Sequence, residues 1–310
     1  MVKWFTLLAL TLVASVAFAK SERETLLHVS YDATRELFAD YNRDFKKSYP
    51  HMRVRMSHGG SGKQARSVID GLPADIVSLA LAYDVEAIAK RKHLQLVPRV
   101  PFYSTIVLLV RAGNPKQIYD WGDLIRADVK VLTPNPKSSG GARWGYLAAW
   151  GYAEARYGNN SKDAQDYMKS WLKNVPIFDT GARAATTNFI RRNQGDVLIT
   201  WENEAYLAQK YFGHDAFEII IPSVTIKAEP AVAMLVDSPR AKAYVEGLFT
   251  SFAQRLAVQH FFRSTTIRDD LPPLTHTLLL SIANFGGWEN AQKKHFDTGG
   301  LFDQFIVRGE

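Results

Sequence analysis

Apolar residues along this chain recur in two alternating rhythms. Leu26–Ser30 (L-L-H-V-S) is a short apolar run, and Thr34–Lys47 places Leu37, Phe38, Tyr41 and Phe45 at helical spacing. Met52–Met56 alternates as a strand, and a Gly-rich turn leads into a helix over Gln64–Asp70. Ala74–Leu79 predicts a buried strand, Val85–Arg91 a helix, and Ser104–Arg111 (S-T-I-V-L-L-V-R) a continuous apolar strand. Tyr119–Ile125 opens a helix, Val129–Thr133 is a further strand, and the residues after Gly141 read as helix. The rhythm resumes with a helix at Thr187–Arg192, a strand at Asp196–Thr200 and a helix at Trp201–Phe212. Ala231–Val236 is a second continuous apolar strand, and helices dominate after it.

Such alternation predicts an α/β architecture with mostly parallel sheets covered by helices on both faces. The two most apolar strands, near residues 104–111 and 231–236, are expected to act as hinge strands between two lobes. In open α/β sheets ligands sit beyond the carboxyl ends of strands, where helix N-termini point. The turns at those ends are therefore the places to look for chemistry.

Four of them share a composition. Strand 26–30 runs into Y-D-A-T-R-E, and strand 52–56 into S-H-G-G-S-G-K-Q. Strand 129–133 runs into P-N-P-K-S-S-G-G-A-R-W, and D-T-G-A-R (179–183) precedes another helix. A helix start leaves its first backbone N–H groups without partners and carries a partial positive charge. Glycine there admits close approach of a ligand to the backbone, and serine adds a donor or a cap. Four such turns in one two-lobed chain read as an anion seat.

Composition narrows the setting. Residues 1–19 carry one charge, Lys3, then an apolar run ending in Ala17-Phe18-Ala19, the pattern of a secretory signal cut after Ala19. The run from Trp4 to Ala19 is 16 residues, short of the roughly 20 that span a bilayer. Losing Lys3 lowers the formal charge from +7 to +6, and the chain has no cysteine, so neither disulfides nor thiolate metal sites arise. Lys and Arg are dispersed among Asp and Glu, which argues against a nucleic-acid stripe. The eight histidines show no H-E-x-x-H or similar metal spacing. A nucleotide loop fails as well, because Ser57 and Gln64 stand where a P-loop needs Gly and Ser/Thr. A hydrolase elbow fails because Lys63 closes G-G-S-G-K. Glu202 and Glu204 point to different helix faces and are expected in ion pairs rather than in acid–base chemistry. No enzyme activity and no cofactor are expected.

The stretches Y-D-A-T-R-E, S-H-G-G-S-G-K-Q, A-D-I-V-S-L-A-L-A-Y-D-V, P-N-P-K-S-S-G-G-A-R-W, G-D-V-L-I-T-W-E-N-E-A and N-F-G-G-W resemble the bacterial periplasmic sulfate-binding proteins of sulfate/thiosulfate ABC importers. The resemblance runs from about Leu26 to Ala231, resumes at Asn284 and continues through H-F-D-T-G-G-L-F-D-Q-F, while residues 238–283 depart from it. It implies the two-lobed type II periplasmic-binding fold. Residues 20–105 would begin lobe one, 106–228 form lobe two, and 229–310 return to lobe one with C-terminal helices. It also implies the ligand contacts: the Asp32 backbone N–H, Ser61, Ser139, Gly140, Gly141, the Ala182 backbone N–H and the Trp201 indole. Arg143 and Arg183 lie beside the turns and would support the donors without touching the anion. The implied partners are a sulfate or thiosulfate anion and an inner-membrane ABC permease, for a periplasmic monomer.

Every contact in that set is a donor. Sulfate carries no proton at neutral pH, whereas hydrogen phosphate does and needs an acceptor inside the site. A donor-only seat leaves the phosphate O–H facing other donors, an unpaired polar clash of about 1–3 kcal/mol. The alternatives on the same fold are another tetrahedral oxyanion (phosphate, molybdate, tungstate) or a sensor role; a periplasmic hydrolase is the alternative of a different class.

Overall fold

The computed structural model describes residues 25–306; the expected signal segment, residues 1–19, lies outside the described residues. In chain order the elements are β1 (Thr25–Tyr31), α1 (Arg35–Ser48), β2 (Arg53–Gly59), α2 (Ser61–Ile69), β3 (Ile76–Leu79), α3 (Ala82–Lys92) and β4 (Ile106–Arg111). There follow β5 (Val131–Pro134), α4 (Gly140–Tyr157), α5 (Lys162–Lys173), β6 (Phe178–Asp179), α6 (Ala182–Arg192), β7 (Val197–Trp201) and α7 (Glu202–Phe212). The remainder comprises β8 (Phe217–Ile220), β9 (Val224–Ile226), β10 (Ala231–Met234), α8 (Pro239–Gly247), α9 (Ser251–Gln259), β11 (Leu278–Leu280), α10 (Gly287–Ala291) and α11 (Leu301–Ile306).

Two main sheets result, one to a lobe. The first has the order β10-β3-β1-β2, with β1 parallel to both neighbours and β10 antiparallel to β3. The second has the order β6-β5-β7-β4-β8; β5 is parallel to β6 and β7, and β4 is antiparallel to β7 and β8. A short parallel pair, β9 with β11, stands apart. The antiparallel strands β10 and β4 each follow a change of sheet, so the chain enters its new sheet running against a neighbour.

The expected hinge strands belong to the lobes' sheets, β4 in the interior of the second and β10 at the edge of the first. Residues 106–110 are at most 1% exposed and are paired on both edges, by β7 and β8. A continuous apolar run needs burial on both faces, and a sheet interior supplies it. The crossings come just before these strands and are less apolar. Ser104 and Ala228 exchange backbone bonds of 3.0 and 2.8 Å, and Tyr103 and Arg263 exchange bonds of 2.9 and 2.8 Å. Three chain segments thus run side by side between the lobes, with residues 103–104 in the middle.

After β10, helices α8 and α9 pack on the first lobe through Tyr244, Val245, Leu248 and Ala257. The C-terminal segment goes elsewhere. Trp288, Phe296, Phe302 and Phe305 join the core of α4 and α5, with Trp288 edge-on to Trp144 and Phe296 edge-on to Tyr146. The large aromatics Trp144, Tyr146 and Trp150 of α4 pack against this chain end, which seats it on the second lobe. The helix expected from Tyr119 is only a one-turn 3-10 helix, Trp121–Ile125, closed by a reciprocal cap between Asp120 and Asp123. Arg126 is extended and ends it.

Candidate functional site

Each turn singled out in the sequence delivers a helix start to the seam between the lobes. From the first lobe, β1 ends at Tyr31 and Asp32 opens a 3-10 turn, and β2 ends at Gly59, with Gly60 as N-cap and Ser61 the first residue of α2. From the second come Ser139 as N-cap of α4, then Gly140 and Gly141, and Gly181 as N-cap before Ala182 of α6. Trp201 closes β7. The first N–H groups of α2, α4 and α6 have no intrahelical acceptor.

These groups converge. A Cβ on Gly140 would meet Ala80 Cβ at 2.7 Å and Ser61 Cβ at 3.1 Å, both in the first lobe. A Cβ on Gly141 would fall on the Trp201 Nε1 atom, and one on Gly181 would lie 2.8 Å from Asp32 Oδ2. Ser61, Gly140, Gly141, Trp201, Ala182 and Asp32 therefore surround one small region. Trp201 is 1% exposed, and its Nε1 has no hydrogen-bond partner among the described residues. A buried indole N–H without an acceptor costs free energy. The arrangement offers donors to an anion that brings its own acceptors.

The serines differ in role. Ser139 Oγ accepts from Ala142 N–H at 3.4 Å, the ordinary N-cap bond, which leaves its own proton free. Ser61 is no cap. Its hydroxyl donates to Asp84 Oδ2 at 2.6 Å and accepts from Ala80 N–H at 3.1 Å, so the hydroxyl is held by the first lobe itself. What Ser61 turns to the seam is its backbone N–H, at the first position of α2.

The two arginines singled out in the sequence both pair with carboxylates. Arg143 Nη1 donates to Asp84 Oδ1 at 3.0 Å and Nε to the Pro136 carbonyl at 2.9 Å, which links α4 to the carboxylate that holds Ser61. Arg183 makes a two-pronged pair with Glu36 of the first lobe, 2.9 and 2.8 Å, and reaches Glu204 at 3.2 Å. Both glutamates queried in W-E-N-E are in ion pairs. Glu202 receives Arg263 Nε and Nη2, each at 2.7 Å, and Glu204 receives Arg183. Asp32 Oδ1 lies 3.4 Å from Arg35 Nη2. Burial raises the Asp32 carboxyl above the usual range against the pull of Arg35 and Arg183.

Sequence reasoning passed over several residues here. Asp84, Glu36 and Arg263 act through partners 59, 147 and 61 positions away, a distance no local pattern reports. Trp144 Nε1 donates to the Ala80 carbonyl at 2.8 Å and Asn203 Nδ2 to the Ala33 carbonyl at 3.2 Å, both across the lobes. Gly60 stood in the quoted turn unremarked.

Three buried titratable groups, His28, His295 and Glu204, and the half-buried His58 shape the dependence of stability on pH. Burial holds His28 at about 3, His295 at about 3 and His58 at about 4, and it lifts Glu204 to about 7. The histidines are neutral when folded but ionise below 6.5 once unfolded, so stability is lost as pH falls from 6.5. Glu204 acts in the opposite direction: its unfolded form ionises first, so stability declines as pH rises from about 4.5 to about 7. Between pH 4.5 and 6.5 the histidines outnumber Glu204, so the net loss of stability lies on the acid side. Urea midpoints are expected to level off above about pH 7 and to fall towards pH 5. A flat profile between pH 7 and pH 5 would contradict this burial.

Comparison with known proteins now decides the relationship. The family profile described as bacterial extracellular solute-binding protein matches residues 26–263. The chain belongs to that solute-binding family. Among its relatives, the sulfate-binding protein of Salmonella typhimurium is 47% identical over 99% of this chain and 100% of that protein. The thiosulfate-binding protein of Pseudomonas aeruginosa is 40% identical over 91% of this chain and 92% of that protein. The solved structure of the sulfate-binding protein SubI from Mycobacterium tuberculosis superposes with a TM-score of 0.80 at 30% identity, covering 89% of this chain and all of that one. Membership accounts for the two-lobed α/β fold and a solute-binding role.

Proposed function

We propose that this protein captures sulfate, and thiosulfate as a second guest, between two closing lobes in the periplasm and delivers it to an ABC permease as a monomer. The carrying observation is the buried, unpartnered Trp201 indole, set against Gly141 where three helix starts from two lobes meet. The proposed contacts are backbone N–H groups of Asp32, Ser61, Gly140, Gly141 and Ala182, the Ser139 hydroxyl and the Trp201 indole. Nearby Arg143 and Arg183 already face carboxylates, so helix starts and not side-chain cations would balance the dianion. The names of the sulfate- and thiosulfate-binding relatives support the choice of guest. Lobe one is proposed to comprise residues 25–103 and 229–262, and lobe two residues 106–228 and 278–306.

Calorimetry of dialysed protein against sulfate, thiosulfate, phosphate and molybdate tests the reading. Saturable heat with sulfate and none with phosphate is the expected result, and phosphate binding as tight as sulfate would end it. Trp201→Phe keeps the ring and deletes one charge-assisted bond, about 1.5–3 kcal/mol, so sulfate affinity should drop roughly 10- to 100-fold. An unchanged affinity would remove Trp201 from the site.

A further inference from the structure

The N-cap of α2 poses a question that the anion contacts leave open. Gly60 has φ −59° and ψ 135°, a backbone that any L-residue adopts. At an N-cap, Ser, Thr, Asn and Asp hold the helix start by a side-chain bond, and Gly makes none. Neither conformation nor capping calls for glycine here. The seam does. A Cβ on Gly60 would lie 2.6 Å from the Ser138 carbonyl oxygen and 2.8 Å from that of Thr180, both in the second lobe.

Neither oxygen is free to retreat. Ser138 O accepts the Lys63 N–H of α2 at 3.4 Å, and Thr180 O accepts the Ser138 hydroxyl at 3.0 Å. The Lys63 amide belongs to the first turn of α2, so its partner in the closed molecule is a carbonyl of the opposite lobe. Arg66 Nη1 extends the same contact to the Lys137 carbonyl at 3.2 Å. Gly62, two residues further on, faces the same loop, but its Cβ would sit 3.4 Å from Ser138 O, an ordinary contact. Within the start of α2 the close approach to the second lobe is confined to position 60, while Gly140 and Gly181 meet the first lobe as closely from the other side.

We infer that Gly60 is a positioning residue for lobe closure: its missing side chain lets the start of α2 dock on the Ser138 and Thr180 carbonyls, and any Cβ there holds the lobes apart. It is not among the proposed ligand contacts. The inference rests on the closing-lobe reading of the function and adds the residue that sets how far closure goes.

The test uses the mature full chain with Gly60→Ala, Gly60→Ser and, as the control, Gly62→Ala. Both Gly60 variants should melt like wild type without ligand, weaken sulfate binding at least 30-fold and show no contraction in small-angle scattering at saturating sulfate. Gly62→Ala should bind within threefold of wild type. Because the chain has no cysteine, an Arg66→Cys/Lys137→Cys pair with a short bifunctional thiol reagent reports closure without any anion. Cross-linking should be at least tenfold slower in the Gly60→Ala background. Gly60→Ala binding within threefold of wild type, equal losses in Gly60→Ala and Gly62→Ala, a collapsed ligand-free melt, or unchanged cross-linking would each overturn the inference. A wild-type protein that binds no sulfate would instead refute the proposed guest, and the cross-linking rates would still decide the role of Gly60.

Discussion

Gly140→Asp is expected to abolish sulfate-dependent thermal stabilisation while leaving the ligand-free melt close to that of wild type. Two effects act together. The new Cβ would sit 2.7 Å from Ala80 Cβ and 3.0 Å from Leu81 Cγ, atoms of the other lobe, so it obstructs only the closed form. The new carboxylate faces a dianion, and each like-charge pair at about 4 Å costs roughly 4 kcal/mol at an effective dielectric of 20. Affinity should fall more than about 1,000-fold. In the open, ligand-free molecule an acidic residue at the first position of α4 is favoured by the helix dipole. Gly140→Asn carries the shape without the charge and should retain at least tenfold more affinity. Full protection of Gly140→Asp by sulfate would mean that the anion binds elsewhere.

The second large effect concerns stability. Glu202 is fully buried and meets Arg263 through two bonds of 2.7 Å and Thr105 Oγ1 at 3.0 Å. Arg263→Ala leaves that carboxylate buried without a countercharge, which costs about 3–5 kcal/mol. The urea midpoint should drop accordingly, and adding Glu202→Gln to Arg263→Ala should recover a large part of the loss. A loss under about 1 kcal/mol would show that water or another cation reaches Glu202. The pair also bears on the divergent stretch 238–283. That stretch supplies none of the proposed donors, but its Arg263 grips the residue next to Trp201, so it reaches the site through one side chain.

Much of this architecture is written in local patterns. The strands before the turns and the helix that follows Gly141 come from apolar runs interrupted by Gly/Ser turns, whereas the helices expected from Gln64 and Thr187 begin three and five residues earlier, at Ser61 and Ala182. Their convergence was legible because strand ends in an α/β sheet share one side. The α5 helix was missed although its signals are ordinary: Ser161 caps Ala164, and Tyr167, Met168, Trp171 and Leu172 recur at helical spacing. Strands β6, β8, β9 and β11, of two to four residues, are too short for a period to emerge. The Ser61–Asp84–Arg143 link and the Arg183–Glu36 pair depend on which lobes meet, a tertiary fact that composition and spacing do not carry. Gly60 shows the limit most clearly, since its backbone angles are ordinary and only an approaching carbonyl explains it.

The ladder formed by residues 99–104 with 228–232 and with Arg263 sets the mechanics of the molecule. Three antiparallel tethers, joined by backbone bridges, resist sliding and twisting more than bending, so one swing about a line near Tyr103 and Ser104 is the softest motion. Dye pairs near that line would change separation little on swinging, and pairs at the far rim would change most. With no native thiol to compete for labelling, a rim pair would turn the protein into an optical gauge for its anion.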